Sequence, residues 1–348
     1  MKSFARRIVH WQRRHGRNHL PWQNTRDPYR VWLSEIMLQQ TQVKTVLAYF
    51  PRFVARFPSV ETLASASPDE ALAHWAGLGY YARARNLHAA ARAVVERHGG
   101  RFPDTAAELA ELPGVGRSTA AAIAAFVSHE RAAILDGNVK RVLCRHFMIA
   151  DAASGKAQKH LWSLAESLLP APGKSADMPA YTQGLMDLGA TVCLKNAPRC
   201  DACPLSDTCG ARLQNRQTDF PARVLRKRKA EKSGTFLFIR NKTHILLKRR
   251  PPSGVWGGLL CPPQKEDDLP PALKTALRTQ KVLPSVIHTF THFRLEIIPE
   301  VCWVDLPPSA VSEPGWEWLR LPDALKAGLP APMARLLAGL PDDVQAAA

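Results

Sequence analysis

The stretch from Leu112 to Val142, LPGVGRSTAAAIAAFVSHERAAILDGNVKRV, constrains this chain more than any other. Pro113-Gly114-Val115-Gly116 sits between two runs of helix formers, Ala106 to Leu112 and Ser118 to Val127. Two glycines one residue apart let the chain reverse tightly, and they remove side chains that would hold another molecule away. The reversal predicts unpaired amides at Val115, Gly116 and Arg117, at the positive end of the second helix's dipole, where a phosphate is well held. Neither a GxGxxG fingerprint nor a GxxxxGKS/T loop occurs, which excludes nucleotide cradles of those kinds. The residues alone leave two readings open, an ordinary helix–turn–helix corner or a phosphate grip. Asp136, in Leu135-Asp136-Gly137-Asn138-Val139, reads by itself as a helix N-cap.

LPGVGRSTAAAI resembles the helix-hairpin-helix motif of a DNA glycosylase superfamily, whose hairpin grips a DNA backbone phosphate. The resemblance implies DNA contacts at Gly114, Val115, Gly116 and Ser118. In that superfamily an aspartate follows about twenty residues later, and Asp136 stands there.

A chain of 348 residues is long enough for two domains with cores of their own. Its net charge of +17 and pI near 9.9 point to a polyanionic partner, most simply nucleic acid. The charge is spread over several segments, unlike a single basic amphipathic helix at a membrane surface. No apolar run reaches membrane-spanning length, and the start MKSFARRIVHWQRRHG lacks the apolar core of a signal peptide. A soluble cytoplasmic protein acting at the nucleoid, with no membrane partner, is the expectation; a monomer on DNA is the default. The seven cysteines, four of them close together, fit a metal site in a reducing compartment better than a disulfide framework.

Residues 1–20 read as a helix with Phe4, Ile8, Val9 and Trp11 inward. Helical patterns continue over 29–57, interrupted near Pro51, and over 59–76, 83–98, 138–148, 157–169 and 179–190, with no convincing period-2 strand before residue 215. The character then changes. PARVLRKRKAEK, Pro221 to Lys232, has linker composition, and strand-like runs follow at 235–240, 243–249, 286–291, 293–298 and 300–305, with a helix over 324–340. The expected organisation is an all-α catalytic region over 1–215, a basic linker over 216–232 and an α+β domain over 233–345.

Cys193, Cys200, Cys203 and Cys209 follow the spacing C-x6-C-x2-C-x5-C. Four thiolates in a short loop suit a soft metal centre, either zinc or an iron–sulfur cluster. Zinc sites usually pair two short-spaced knuckles, and only one such pair is present here. The spacing resembles the 4Fe-4S loop of endonuclease III-like glycosylases, which implies a 4Fe-4S cluster with Lys195 and Arg199 at its rim. Cys144, Cys261 and Cys302 remain as ordinary buried thiols.

Glu35 is the one carboxylate in VWLSEIMLQQ. Its helical neighbours would be Val31, Trp32, Leu38 and Gln39, so burial should raise its pKa and leave it protonated near neutrality, as a general acid requires. WLSEIMLQQTQV, GLGYYARARNLH, LPGVGRSTA and LDGNVKRVL together resemble the MutY family of adenine DNA glycosylases, over essentially all of residues 1–215. The resemblance implies excision of adenine paired with 8-oxoguanine or guanine in double-stranded DNA. It implies Glu35 as the acid on adenine N7, Asp136 as the carboxylate that stabilises the sugar cation, and Asn138 as its orienting partner. Gln39, Gln40 and Tyr80 or Tyr81 match residues that fill the vacated space and wedge beside the lesion. Bifunctional relatives carry a lysine where this chain has Ser118. A hydroxyl forms no Schiff base, so a monofunctional enzyme leaving an abasic site is expected, with an endonuclease III-type glycosylase/lyase on oxidised pyrimidines as the alternative.

Residues 233–345 resemble a Nudix-like lesion-recognition domain. The sequence after Gly257 carries no glutamate-rich REUXEE helix to hold magnesium, so nucleotide hydrolysis is not expected. Phe290-Thr291-His292 stands where that family reads 8-oxoguanine with an FSH loop, threonine replacing the usual serine.

Overall fold

A computed structural model describes residues 3–222 and 229–340. The helices of the first part are started by local chemistry. Ser3 accepts from Arg6 N to cap α1 (Phe4–His15), and Asp27 accepts from Tyr29 N with Pro28 in the first turn of α2 (Pro28–Leu38). Then follow α3 (Val43–Arg56), α4 (Val60–Ser65), α5 (Pro68–Trp75), α6 (Ala82–His98), α7 (Ala106–Leu109), α8 (Arg117–Val127), α9 (Gly137–His146), α10 (Gly155–Ser167), α11 (Met178–Asp187) and α12 (Gly210–Leu213). The run over 29–57 is two helices, but the break lies near Gln40 and not at Pro51, which α3 carries in its interior. Gln40 takes a left-handed φ of +56°, which ends α2 before α3 begins. Likewise 59–76 divides at Ser67, whose side chain caps α5.

The chain forms two compact units, one of residues 1–65 and 86–225, the other of 66–85 and 226–348. In the first, α1, α8, α9, α10 and α11 share a core built on Ile8, Ala122, Val139, Leu143, Leu161, Tyr181 and Leu185. Alanines at 120–122, 124 and 125 of α8 are buried, and their small size lets neighbouring helices approach closely. Among the described residues no helix is long and apolar enough to cross a membrane.

The second unit carries a seven-stranded sheet of β1 (Ala230–Arg240), β2 (His244–Arg249), β3 (Leu260–Cys261), β4 (Arg278–Val282), β5 (Val286–Thr289), β6 (Phe293–Trp303) and β7 (Trp316–Arg320). Its order is β3-β2-β1-β6-β4, with β5 beside β6 and β7 beside β2. The β1/β6 pair is parallel, from Ala230↔Phe293 to Arg240↔Trp303; the other pairs are antiparallel. Strand β1 begins at Ala230, inside the stretch expected as linker, because its first residues pair with Phe293 to Ile297. The two runs expected at 293–298 and 300–305 are one strand, which passes through Pro299 opposite Phe236. Strands β3, β4 and β7 and the helix α13 (Pro271–Ala276) are too short to leave a periodic signal. The expected terminal helix is two, α14 (Leu321–Lys326) and α15 (Ala331–Ala338), separated by Gly328-Leu329-Pro330. Residues 341–345, the end of the expected domain, lie outside the described residues, as do 223–228 of the expected linker.

Candidate active site

Helix α2 buries Val31, Trp32, Leu33, Ile36 and Met37, so it is apolar nearly all round and carries Glu35 into a low-dielectric setting. Burial pushes the Glu35 carboxyl up to about 7, and the negative charge of Asp136 adds to the rise. Glu35 stands between two cavities. It shares one of about 980 Å³ with Arg17, Asp136, Asn138 and Arg141, and the other, of about 550 Å³, with Trp22, Arg26, His129 and Gln183.

Asp136 caps α9, as its sequence context implied. One carboxylate oxygen accepts from Val139 N at 2.7 Å, and the other accepts from Asn138 Nδ2 at 3.3 Å. Burial raises its pKa, while the Val139 and Asn138 donors and the Arg141 charge pull it back down. Among the described residues no such donor offsets the rise at Glu35, so the two acids sit in different settings. Asn138 in turn accepts from Arg141 Nη2 at 2.8 Å. The same guanidinium donates to Gly189 O at 2.6 Å and to Cys193 O at 2.8 Å. A continuous chain of hydrogen bonds thus runs from Asp136 to the first cysteine of the loop. Gly189 belongs to a π-helical turn, Leu188–Val192, and a Cβ there would lie 2.5 Å from Asn138 Cβ.

In the hairpin, Gly114 adopts a φ of +77°, and a Cβ on it would meet Asn86 Cβ at 2.7 Å. A glycine is required there twice over. Gly116 caps α8 without a side chain, and nothing lies within 4 Å of where its Cβ would be, so the helix start is open to an incoming group. Ala120 N is the first α8 amide to close onto the turn, at Gly116 O. The expectation for Val115 is corrected. Its amide donates to Leu112 O at 3.1 Å and its side chain is buried, because the turn needs that bond to close. Arg117 stacks over the Trp162 ring at 3.8 Å and pairs with Glu166. Ser118 Oγ accepts from Leu135 N at 2.9 Å. Gln39 Nε2 donates to Thr119 Oγ1 at 3.3 Å and to Gly114 O at 3.4 Å. Gln40 is exposed in its left-handed conformation just beyond.

Cys193, Cys200, Cys203 and Cys209 line one small cavity together with Arg145 and Gln217. Arg145, itself buried, donates to Cys193 Sγ at 3.2 Å and to the carbonyls of Leu194 and Lys195. Gln217 Nε2 approaches Cys200 Sγ at 3.6 Å. Among the described residues no group of three or more His, Cys, Asp or Glu side chains closes on a single ion. A four-sulfur donor set round one cavity, with N–H donors aimed at two of the sulfurs, fits a thiolate-held centre. Cys144, Cys261 and Cys302 are buried thiols, as expected.

The second unit gathers Tyr80 and the 290–292 triplet. Phe290, Thr291 and His292 form the turn between β5 and β6, closed by Phe290 N donating to Phe293 O at 2.9 Å. The Phe290 and Phe293 rings stack at 4.5 Å, while Thr291 and His292 are exposed at the tip. Tyr80, 46% exposed at a φ of +51°, reaches Thr291 Oγ1 with its hydroxyl at 3.3 Å. Tyr81 differs. It is buried, and its hydroxyl donates to Leu329 O, so only Tyr80 of the pair is presented outward.

The profile of the HhH-GPD superfamily of base excision DNA repair proteins matches residues 33–167, and that of the NUDIX domain matches 234–339. An adenine DNA glycosylase from Buchnera aphidicola subsp. Baizongia pistaciae is 36% identical over 342 residues, covering 96% of this chain and 95% of that one. The chain belongs to the adenine DNA glycosylase family. As a member it is a base-excision enzyme that hydrolyses an N-glycosyl bond. A solved thermostable thymine-DNA glycosylase matches with a TM-score of 0.54 and 32% identity, over 61% of this chain and 95% of that one. A solved complex of endonuclease III with DNA matches with a TM-score of 0.50 and 19% identity over 60% of this chain and 94% of that one, a likeness of fold.

Three residues of this family member escape sequence reasoning. Arg141 and Arg145 bond to groups of the cysteine loop far along the chain, and Gly189 is fixed by its close approach to Asn138. The only signal was the i, i+3 spacing of Asn138 and Arg141 on one helix.

Proposed function

We propose that this enzyme removes adenine paired with 8-oxoguanine or guanine from double-stranded DNA and leaves an abasic site. The observation that carries the proposal is one cavity shared by two carboxyls in different settings, Glu35 with its pKa pushed up to about 7 by burial and Asp136 held by N–H donors. Adenine leaves poorly as an anion. Glu35 delivers a proton to N7 of the extruded base as the glycosidic bond breaks. Asp136 then faces the positive charge on the sugar, oriented by Asn138, until water adds. The hairpin start at Gly116 and Ser118, with Gly114 shaping the turn, holds a backbone phosphate. Gln39 and Gln40 occupy the space left by the base, and Tyr80 wedges beside the lesion.

Residues 1–215 are the catalytic region in this reading, 216–232 the basic linker and 233–345 the lesion reader, with Thr291 and His292 at its contact tip. Cys193, Cys200, Cys203 and Cys209 hold a 4Fe-4S cluster, which ties the loop together when bound. The enzyme works as a monomer in the cytoplasm, at the nucleoid.

Single-turnover cleavage of a duplex with one adenine opposite 8-oxoguanine, with and without alkali, tests the proposal. A strand break only after alkali is expected. Breakage without alkali would favour the endonuclease III-type alternative, and bound DNA with no abasic site would overturn the assignment.

A further inference from the structure

Ser118 and Thr119 open α8 directly after the hairpin turn, and both side-chain hydroxyls are spent inward. Ser118 Oγ accepts from Leu135 N, the residue before Asp136. Leu135 is buried in an irregular segment between α8 and α9, where no helix or strand ladder serves its amide. Thr119 Oγ1 accepts from Gln39, the residue that closes α2 four positions beyond Glu35. One helical turn therefore reaches the segments carrying both carboxylates. The backbone amides of the same turn lie at the open helix start beside Gly116.

We propose that Ser118 and Thr119 are positioning residues, which register Asp136 and the Glu35 helix against the turn that grips the DNA backbone. The inference rests on the Glu35/Asp136 reading. Neither side chain touches the base or sugar in this scheme; Ser118 acts through Leu135, and Thr119 through Gln39. At Ser118 the amide faces the phosphate side while the hydroxyl faces the site. A shift of the hairpin on DNA is thereby passed to Asp136 through a single residue. The hydroxyl also gives Ser118 a task of its own, beyond being a position without lysine.

The charged groups that share cavities with Glu35 are Arg17, Arg26, His129, Asp136 and Arg141. Burial is the larger cause of the raised Glu35 pKa and the Asp136 charge adds to it, so a displaced Asp136 moves the alkaline limb of the rate profile downward. Ser118→Ala, Ser118→Thr and Thr119→Val would be compared in the full-length enzyme by single-turnover adenine release over pH, by DNA affinity, and by hydrogen exchange at the Leu135 amide. Ser118→Ala should lower the rate about tenfold, from loss of one buried hydrogen bond and a displaced carboxylate. It should leave DNA affinity within about twofold, speed exchange at Leu135 and move the alkaline midpoint downward, because Asp136 no longer stands as close to Glu35. Ser118→Thr should restore all three, and Thr119→Val should lower the rate without changing Leu135 exchange. An unchanged rate in Ser118→Ala, or a loss confined to DNA affinity with the pH midpoint unmoved, would overturn the inference. Absence of adenine release by the unsubstituted enzyme would instead sink the functional reading itself, whatever Leu135 exchange did.

Discussion

Asn138 donates from its amide nitrogen to Asp136 at 3.3 Å while its amide oxygen accepts from Arg141 at 2.8 Å, so the carboxylate is oriented by a side chain that is itself held. Asn138→Ala should cut the single-turnover rate by about one to two orders of magnitude, the range seen when an orienting partner is lost. The midpoint of thermal unfolding should move little. Equal loss of rate and of folded protein would show that the bond is purely structural.

Arg141→Gln is the harsher change. It leaves the carbonyls of Gly189 and Cys193 without their donor, at a cost of about 1–3 kcal/mol each for a buried group. Denaturant unfolding should reveal the destabilisation, with loosening centred on the cysteine loop under hydrogen exchange. Unaltered stability would contradict the bonding pattern.

Glu35 yields a prediction with a sign. Burial and the Asp136 charge push its carboxyl up to about 7 in the folded chain, from an ordinary value of about 4.5. Between those values the folded state holds a proton that the unfolded state has released, so stability falls as pH rises through the window. The full penalty is about 3 kcal/mol, an upper figure for a half-buried acid. Glu35→Gln removes the penalty and should be more stable than the parent above pH 7, yet inactive. The parent's rate should fall as pH rises through about 7, because the acid form is lost. Chemical denaturation at acid and alkaline pH checks the first half; a rate profile checks the second.

Gly114→Ala places a Cβ 2.7 Å from Asn86 and forces a side chain onto a φ of +77°. A loss of about 1–3 kcal/mol in stability is expected, with weaker DNA binding from a distorted turn. Wild-type affinity and stability together would mean that the turn relaxes freely.

Thr291→Val keeps the shape of the β5–β6 tip but removes the partner of the Tyr80 hydroxyl. Discrimination between 8-oxoguanine and guanine opposite adenine should fall several-fold, about the value of one exposed hydrogen bond, with excision from the guanine mispair nearly unchanged. Equal effects on both substrates would remove the triplet from lesion reading.

The helical half was legible because its signals are local. The inward spacing of Phe4, Ile8, Val9 and Trp11 and the Gly114-Val115-Gly116 turn between two helix-forming runs act within a turn or two of chain, whereas the breaks at Gln40 and Ser67 escape that periodicity. Glu35 was legible for the same reason, being the only acid on an apolar helix face. What escaped was set by partners distant in sequence. Arg141 finds Cys193 fifty-two residues away, and Tyr80 finds Thr291 two hundred and eleven away. Strands β3, β4 and β7 have no pattern of their own and exist because β2 and β6 offer edges to them. Tyr80 and Tyr81 are alike in sequence and were parted only by the backbone turn at Tyr80.

Gly189 packs so closely on Asn138 that no larger residue fits between the π-helical turn and α9. The contacts couple positions 138, 141, 189 and 193, so a change at one is expected to need a change at another. A side chain gained at 189 would displace Asn138, and a chain that gave up Cys193 would leave Arg141 without one of its anchors. A variant without the cysteine loop would therefore need another anchor for the guanidinium that holds Asn138 against Asp136.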